Sequence, residues 1–200
     1  MSVSNKRRNI INPNLPVAPT IYEQRYQDQY SNVMRLYFNQ VSNAVNAPRP
    51  YGSFYSNVDQ TNPVADAVNL MTVNQTVDFF NVSIGAINSR IYVAEEAVYN
   101  IQFSAQLDKS GGSASAVYIW LMINGVNVPN SATKVVIDGP NAETVAAWNF
   151  VLPLAENDYF EIAWSSSDTD VFIAEEPATG SIPEIPSVIL TVTWVSNVSV

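Results

Sequence analysis

Between residues 98 and 195 the apolar side chains come in runs of strand length, and a turn-forming segment closes nearly every run. Residues 98–105, 117–123, 134–137, 144–151, 159–165, 171–174 and 188–195 are rich in Val, Ile, Tyr, Phe, Trp and Thr. Such side chains fit a pleated, half-buried surface, and runs this short suit strands rather than core helices. Residues 52–56, 70–73, 77–80 and 91–93 extend the pattern upstream, with a turn-rich break at 59–63. The 117–123 run is continuously apolar, which suits a strand covered on both faces. Lys109-Ser-Gly-Gly-Ser-Ala-Ser115 reads as a flexible hairpin loop. About ten strands with a single helical stretch make an all-β sandwich.

The chain has no Cys and no His. Disulfides, thiolate ligands and thiol nucleophiles are therefore excluded. So are the usual general base near neutral pH and the commonest transition-metal ligand. With 47% hydrophobic residues among 200, one mid-sized domain plus an appendage can bury its core. No apolar run approaches the roughly 18 residues of a membrane helix, so no membrane insertion is expected. The start, Met1-Ser-Val-Ser-Asn-Lys-Arg-Arg, carries basic residues with no apolar stretch behind them and does not read as a secretory signal. With the missing Cys, this points to synthesis in a reducing cytoplasm.

Four segments follow along the chain. Residues 1–20 read as an extended arm, because Pro13, Pro16 and Pro19 fix their own φ and push the preceding residue toward extended backbone. Lys6, Arg7 and Arg8 cluster near its start, and Ile10, Ile11, Leu15 and Val17 space apolar groups along it. Such an arm suits the surface of another protein. Residues 21–46 read as one amphipathic helix, with Thr20 and Glu23 at capping-box spacing. Tyr22, Tyr26, Tyr30, Val33, Tyr37, Val41 and Ala44 share one face of it. That stripe would pack either on copies of itself, as a short stalk, or on the β domain of its own chain. Residues 47–50, with Pro48 and Pro50, form a semi-rigid linker, and 51–200 the β domain.

Charge divides along the same boundary. Six of the nine basic residues and two acids lie in the first 49 positions, a net near +4; three basic residues and sixteen acids follow, near −13. A basic foot below an acidic head suits docking on an acidic partner, and the head would repel nucleic acid.

Carboxylates are the only acid–base material. Glu95-Glu96, Asp168 with Asp170, and Glu175-Glu176 flank turns and read as solvated loops rather than a glycosidase pair. Hard oxygen ligands also suit Ca²⁺, but no EF-hand loop is present. No cofactor is expected, Ca²⁺ being the one candidate. Nucleophile-elbow, P-loop and dinucleotide motifs are missing. Trp120, Trp148, Trp164 and Trp194 lie in strand runs and read as core. Binding usually resides on loops held by a rigid scaffold, which makes Lys109, Ser110, Asp168 and Asp170 the candidate receptor contacts.

The strand sequences resemble the C1q/TNF-like trimeric jelly rolls. Val98-Tyr99-Asn100-Ile101-Gln102-Phe103-Ser104-Ala105 is similar to that family's early YxFxA strand. Residues 116–122, closing on Ile123-Asn124-Gly125, resemble its LxxNG turn. Residues 152–162 resemble LxxGDxVxL, with Asn157 in place of the family's Gly, and 186–195 its closing strand. The resemblance implies a jelly-roll sandwich, a homotrimer built around an inner sheet, and action by binding rather than catalysis. It implies that the 117–123 strand lies in that inner sheet, with Tyr118, Trp120 and Met122 at the trimer interface.

Three further segments resemble short structural proteins of marine, cyanophage-like tailed bacteriophages: residues 9–22, Arg35-Leu-Tyr-Phe-Asn-Gln40 and 182–190. This implies a virion protein whose Lys6, Arg7, Arg8, Ile10, Ile11 and Leu15 anchor it to other virion proteins. The expectation is a homotrimeric short tail fibre or spike that attaches the particle to a host surface glycan or protein. A capsid decoration protein cementing the shell is the second reading. A carbohydrate-degrading enzyme is the third, disfavoured by the missing His.

Overall fold

Every second residue from Ala97 to Lys109 is buried, so this segment is a strand with one face on a core. The computed structural model describes residues 12–198. It has two compact units, Met1–Pro48 and Arg49–Val200.

The first unit carries α1, Gln24–Val45. Its N-cap is Glu23, in extended conformation at φ −127° and ψ 120°, and no side chain caps it. The capping box expected at Thr20 does not form. The backbone bends at Thr20 and Ile21 and turns helical only after Glu23, which puts the Thr20 hydroxyl out of reach of the first free N–H groups. Tyr22 therefore lies outside the helix and is 77% exposed. None of the helix residues is buried.

In the second unit the strands are β1 Tyr51–Ser56, β2 Gln60–Thr61, β3 Asn69–Leu70, β4 Gln75–Phe80, β5 Val82–Ile84, β6 Ile91–Val93 and β7 Ala97–Lys109. They continue as β8 Ser115–Ile123, β9 Val126–Asn127, β10 Thr133–Ile137, β11 Ala142–Leu154, β12 Tyr159–Ser166, β13 Val171–Ile173 and β14 Val188–Ser196. Among the described residues they form two seven-stranded sheets. One runs β2-β13-β7-β14-β1-β4, with β11 also on β7; the other runs β10-β8-β12-β6-β5, with β3 on β12 and β9 on β8. Neighbouring strands are antiparallel throughout these ladders. The pairing of β7 with β11 is continuous from Ala97 opposite Leu154 to Lys109 opposite Ala142.

The inward faces of the two sheets meet in one core. Phe54, Tyr99, Ile101 and Leu107 come from the first sheet, and Ile119, Leu121, Phe160 and Trp164 from the second. The Asn124-Gly125 turn has positive φ at both residues, 49° and 79°, as a two-residue hairpin requires. Asn157 has φ 67°, so it occupies the left-handed conformation that Gly would also take; Asn tolerates it better than most residues.

The 117–123 run is covered on one face only. Val117, Ile119 and Leu121 are buried, while Tyr118 is 45% exposed and Trp120 and Met122 are half-buried. An all-apolar strand thus lies in an ordinary one-sided sheet, and among the described residues its second face is only partly covered.

Candidate functional site

The strand register fixes which loops share an end of the β domain. Trp194 N–H donates to Pro50 O (3.0 Å), and Trp194 lies opposite Tyr99, so the chain enters near the Ala97 end of β7. Lys109 and the 110–114 and 167–170 segments lie at the opposite end. This far tip carries Asp108, Glu143, Asp168 and Asp170, and its lysine is buried.

Lys109 stays in phase with Ala105 and Leu107, so its side chain points inward at the strand's end. Its ammonium reaches Ser113 O, Ser115 Oγ and Asp168 Oδ2. Ser115 Oγ donates to the same carboxylate oxygen at 2.6 Å. Asp168 Oδ1 accepts the Asp170 N–H at 2.9 Å. Hydrogen bonds from Lys109 and Ser115 hold the Asp168 carboxyl at about 2, below its usual 3.8. Gly112, at φ 78°, passes close over the pair: a Cβ there would meet Asp168 Oδ2 at 3.4 Å and Lys109 Nζ at 3.5 Å.

Two expectations are corrected here. Lys109 is fully buried and cannot touch a receptor. The 109–115 loop is not a loose hairpin, because it folds over this ion pair. Ser110 and Asp170 remain exposed and are joined by Ser110 N–H donating to Asp170 O (3.1 Å). The Lys109–Ser115–Asp168 cluster superficially resembles a Ser–Lys catalytic pair. The ammonium and the Ser115 hydroxyl both bond Asp168 Oδ2, so the cluster ties the 110–115 segment to the 167–170 segment as a clamp.

The β1, β14, β7 and β11 strands present a second feature. Their outward side chains include Ser53, Tyr55, Asn100, Gln102, Ser104, Ala147, Asn149, Val151, Thr191 and Thr193, none of them charged. Asn149 Nδ2 donates to Asn100 Oδ1 across this face at 2.9 Å. Charge on these four strands' outward face is confined to Asp108 and Glu143, paired opposite each other at the tip. Sequence reasoning missed this face, since its residues look like ordinary polar strand positions.

Tyr118, Trp120 and Met122 lie on the outward face of the other sheet. There Trp120 Nε1 donates to Asn127 Oδ1 (2.7 Å), and Lys134 Nζ stands 5.9 Å from the Tyr118 ring centroid. Part of this sheet's outer side is covered by its own chain. Glu161 is buried there, accepting from Ser89 Oγ (2.7 Å) and Arg90 Nε (3.4 Å).

On α1, Tyr26, Tyr30, Val33, Tyr37 and Val41 are half-buried, and Tyr26 stacks on Tyr30 with centroids 6.2 Å apart. Of the arm residues, Leu15 is 42% exposed. Lys6, Arg7, Arg8, Ile10 and Ile11 lie outside the described residues. Glu95 Oε1 accepts from Asn81 Nδ2 at 2.6 Å, and the Glu175 N–H donates to Asp59 Oδ1 at 2.8 Å. Among the described residues no group of three or more carboxylates is placed to hold a metal ion. No helix there is long and apolar enough to cross a membrane.

No family model matches the chain, and no curated protein matches it. Solved structures do. The globular domain of zebrafish complement 1qA protein aligns with 75% of this chain and 99% of its own, at 14% identity and TM-score 0.44. Eiger TNF from S. frugiperda aligns with 77% of this chain and 97% of its own, at 9% identity and TM-score 0.51. With the sheet order above, the second likeness identifies the β domain as an all-β jelly roll of the C1q/TNF-like fold.

Proposed function

We propose that the protein is a homotrimeric structural and binding protein of a bacteriophage virion, a short tail fibre or spike that attaches the particle to its host. The observation that carries self-association is the uncharged outward face of β1, β14, β7 and β11, in a domain whose net charge is near −13. Charge-depleted surface is characteristic of interface cores, and strands of 13 residues give it the extent of a standard interface. The C1q/TNF-like resemblance supplies the number three. This moves the interface from Tyr118, Trp120 and Met122 to the opposite sheet. Those three then remain on the outside of the trimer.

The arm at the basic foot is the virion anchor, and the exposed tip around Ser110 and Asp170 faces the host. Three copies of the tip multiply a weak contact with a glycan or protein. The resemblance of the arm to marine phage structural proteins supports the virion assignment.

Two measurements test the reading. Gln102→Arg should convert the trimer to monomer by light scattering, and Tyr118→Arg should leave it trimeric; the reverse result would sink the interface. Exchanging the 110–114 and 167–170 segments should reduce adsorption of particles to cells. Unchanged adsorption, with capsid heat stability lost when the gene is deleted, would make the protein a shell decoration instead.

A further inference from the structure

We propose that α1 packs against α1 of two further copies as a straight three-helix bundle, the number of copies resting on the trimeric reading above. The argument starts from the width of the helix's apolar arc. Tyr26, Tyr30, Val33, Tyr37 and Val41 form its centre, and Leu36 and Phe38 stand on either flank. At 3.6 residues per turn the arc from Leu36 to Phe38 spans roughly 200°. A helix resting on a single surface needs an arc of only about 100°. A helix wedged between two neighbours needs the wider one. The flanks are open in this chain: Leu36 is 58% exposed and Phe38 59%.

Charge selects the neighbour. The arc holds glutamines but no charged residue; Asp28 and Arg35 fall on the opposite side, and Arg25 stands just beyond the Leu36 edge. An acidic partner, the chain's own β domain included, would draw arginines to the contact. Instead Arg35 is turned away and donates to Asn32 Oδ1 at 2.6 Å on the polar side. An uncharged aromatic arc is matched by another copy of itself. Glutamine amides and tyrosine hydroxyls along the seam can partner one another across it.

Spacing sets the geometry. From Tyr26 the stripe steps 4, 3, 4, 4 and 3 residues to Ala44. The mean equals the period of an unsupercoiled α-helix, whereas a strict heptad would impose a left-handed twist. The copies would therefore run side by side without coiling. Proximity assists: only residues 46–50 separate α1 from β1, so assembled β domains hold the helices at an effective concentration on the order of millimolar.

The chain has no Cys, so a single introduced thiol reports on one position without background. Val33→Cys lies at the centre of the arc and Asn39→Cys on the polar side. Each full-length variant is oxidised, and separately treated with a short bismaleimide, after its mass is measured by light scattering. Covalent dimers from Val33→Cys in at least tenfold excess over Asn39→Cys, in a trimeric preparation, are expected. Equal or no cross-linking from the two positions in a trimeric preparation would overturn the bundle and leave the trimer standing. A monomeric preparation would overturn both.

Discussion

Lys109 Nζ lies 2.5 Å from Asp168 Oδ2, and the lysine side chain is fully buried. A strand that points every second residue into the core ends with a cation in that core. The charge is tolerated because a carboxylate, a hydroxyl and a carbonyl surround it. Removing one partner of a buried pair leaves the other charge uncompensated, at a cost of about 3–5 kcal/mol. Asp168→Asn should lose that much in urea unfolding of the β domain. Lys109→Met should lose less, since the Asp168 side chain keeps 23% exposure and can be rehydrated. The double variant should recover most of the Asp168→Asn loss; strict additivity would mean that the two charges are not coupled.

The same pair sets an acid limit. Asp168 titrates at about 2 when folded, against an ordinary 3.8, so the folded state binds its proton more weakly than the unfolded chain. Its contribution is complete above about pH 4 and is lost as pH falls toward 2. The slope from this one group cannot exceed about 1.4 kcal/mol per pH unit. Asp168→Asn should flatten stability against pH between 4 and 2 and leave the profile above pH 5 parallel to that of the parent chain. An unchanged acid limb would remove Asp168 as its cause.

Gly52 gives a packing prediction. A Cβ at this position would stand 2.5 Å from Phe54 Cε2 and 3.1 Å from Val82 Cγ1. Phe54 is fully buried, so its ring has nowhere to move. Gly52→Ala should destabilise the β domain by about 1–3 kcal/mol, the range for an overfilled core. A thermal midpoint equal to the parent's would show that the β1 backbone yields instead.

Most of the sandwich was legible because its longer strands carry enough apolar and β-branched residues to be read: β7 alternates in sequence as it does in burial, whereas β8 alternates only in burial and β12 is buried throughout from Phe160 to Trp164. Two- and three-residue strands such as β2, β5 and β9 were not, since so short a run has no period. The buried lysine left a signal that went unused. Lys109 has the same parity as Tyr99, Ile101, Phe103, Ala105 and Leu107, and parity alone sends it inward. The Gly-Gly that follows is what lets a loop close over it. The helix start was misplaced because a capping box is a local pattern, and here the backbone bends before the helix begins. The uncharged sheet face was hidden for a different reason. Asn100, Gln102, Thr191 and Thr193 are unremarkable singly, and only strand register collects them on one surface.

Glu161 leads to the last prediction. It is 3% exposed on the outward side of β12, where Ser89 and Arg90 cover it. Arg90 does two things at once: its Nε faces Glu161 Oε1 at 3.4 Å, and its guanidinium lies 4.6 Å from the Tyr159 ring centroid. Arg90→Ala would remove the countercharge and leave a carboxylate buried with one hydroxyl donor. A carboxylate buried without a cation carries a desolvation cost that its neutral form does not. The damage should therefore depend on pH, being large near pH 7 and shrinking as the medium is acidified toward pH 4. Arg90→Ala combined with Glu161→Gln should be more stable at pH 7 than Arg90→Ala alone, because no charge is then buried. Denaturant unfolding of the two variants at pH 7 and pH 4.5 separates the cases. A deficit in Arg90→Ala that is equal at both pH values would assign the role of Arg90 to its stacking on Tyr159 alone.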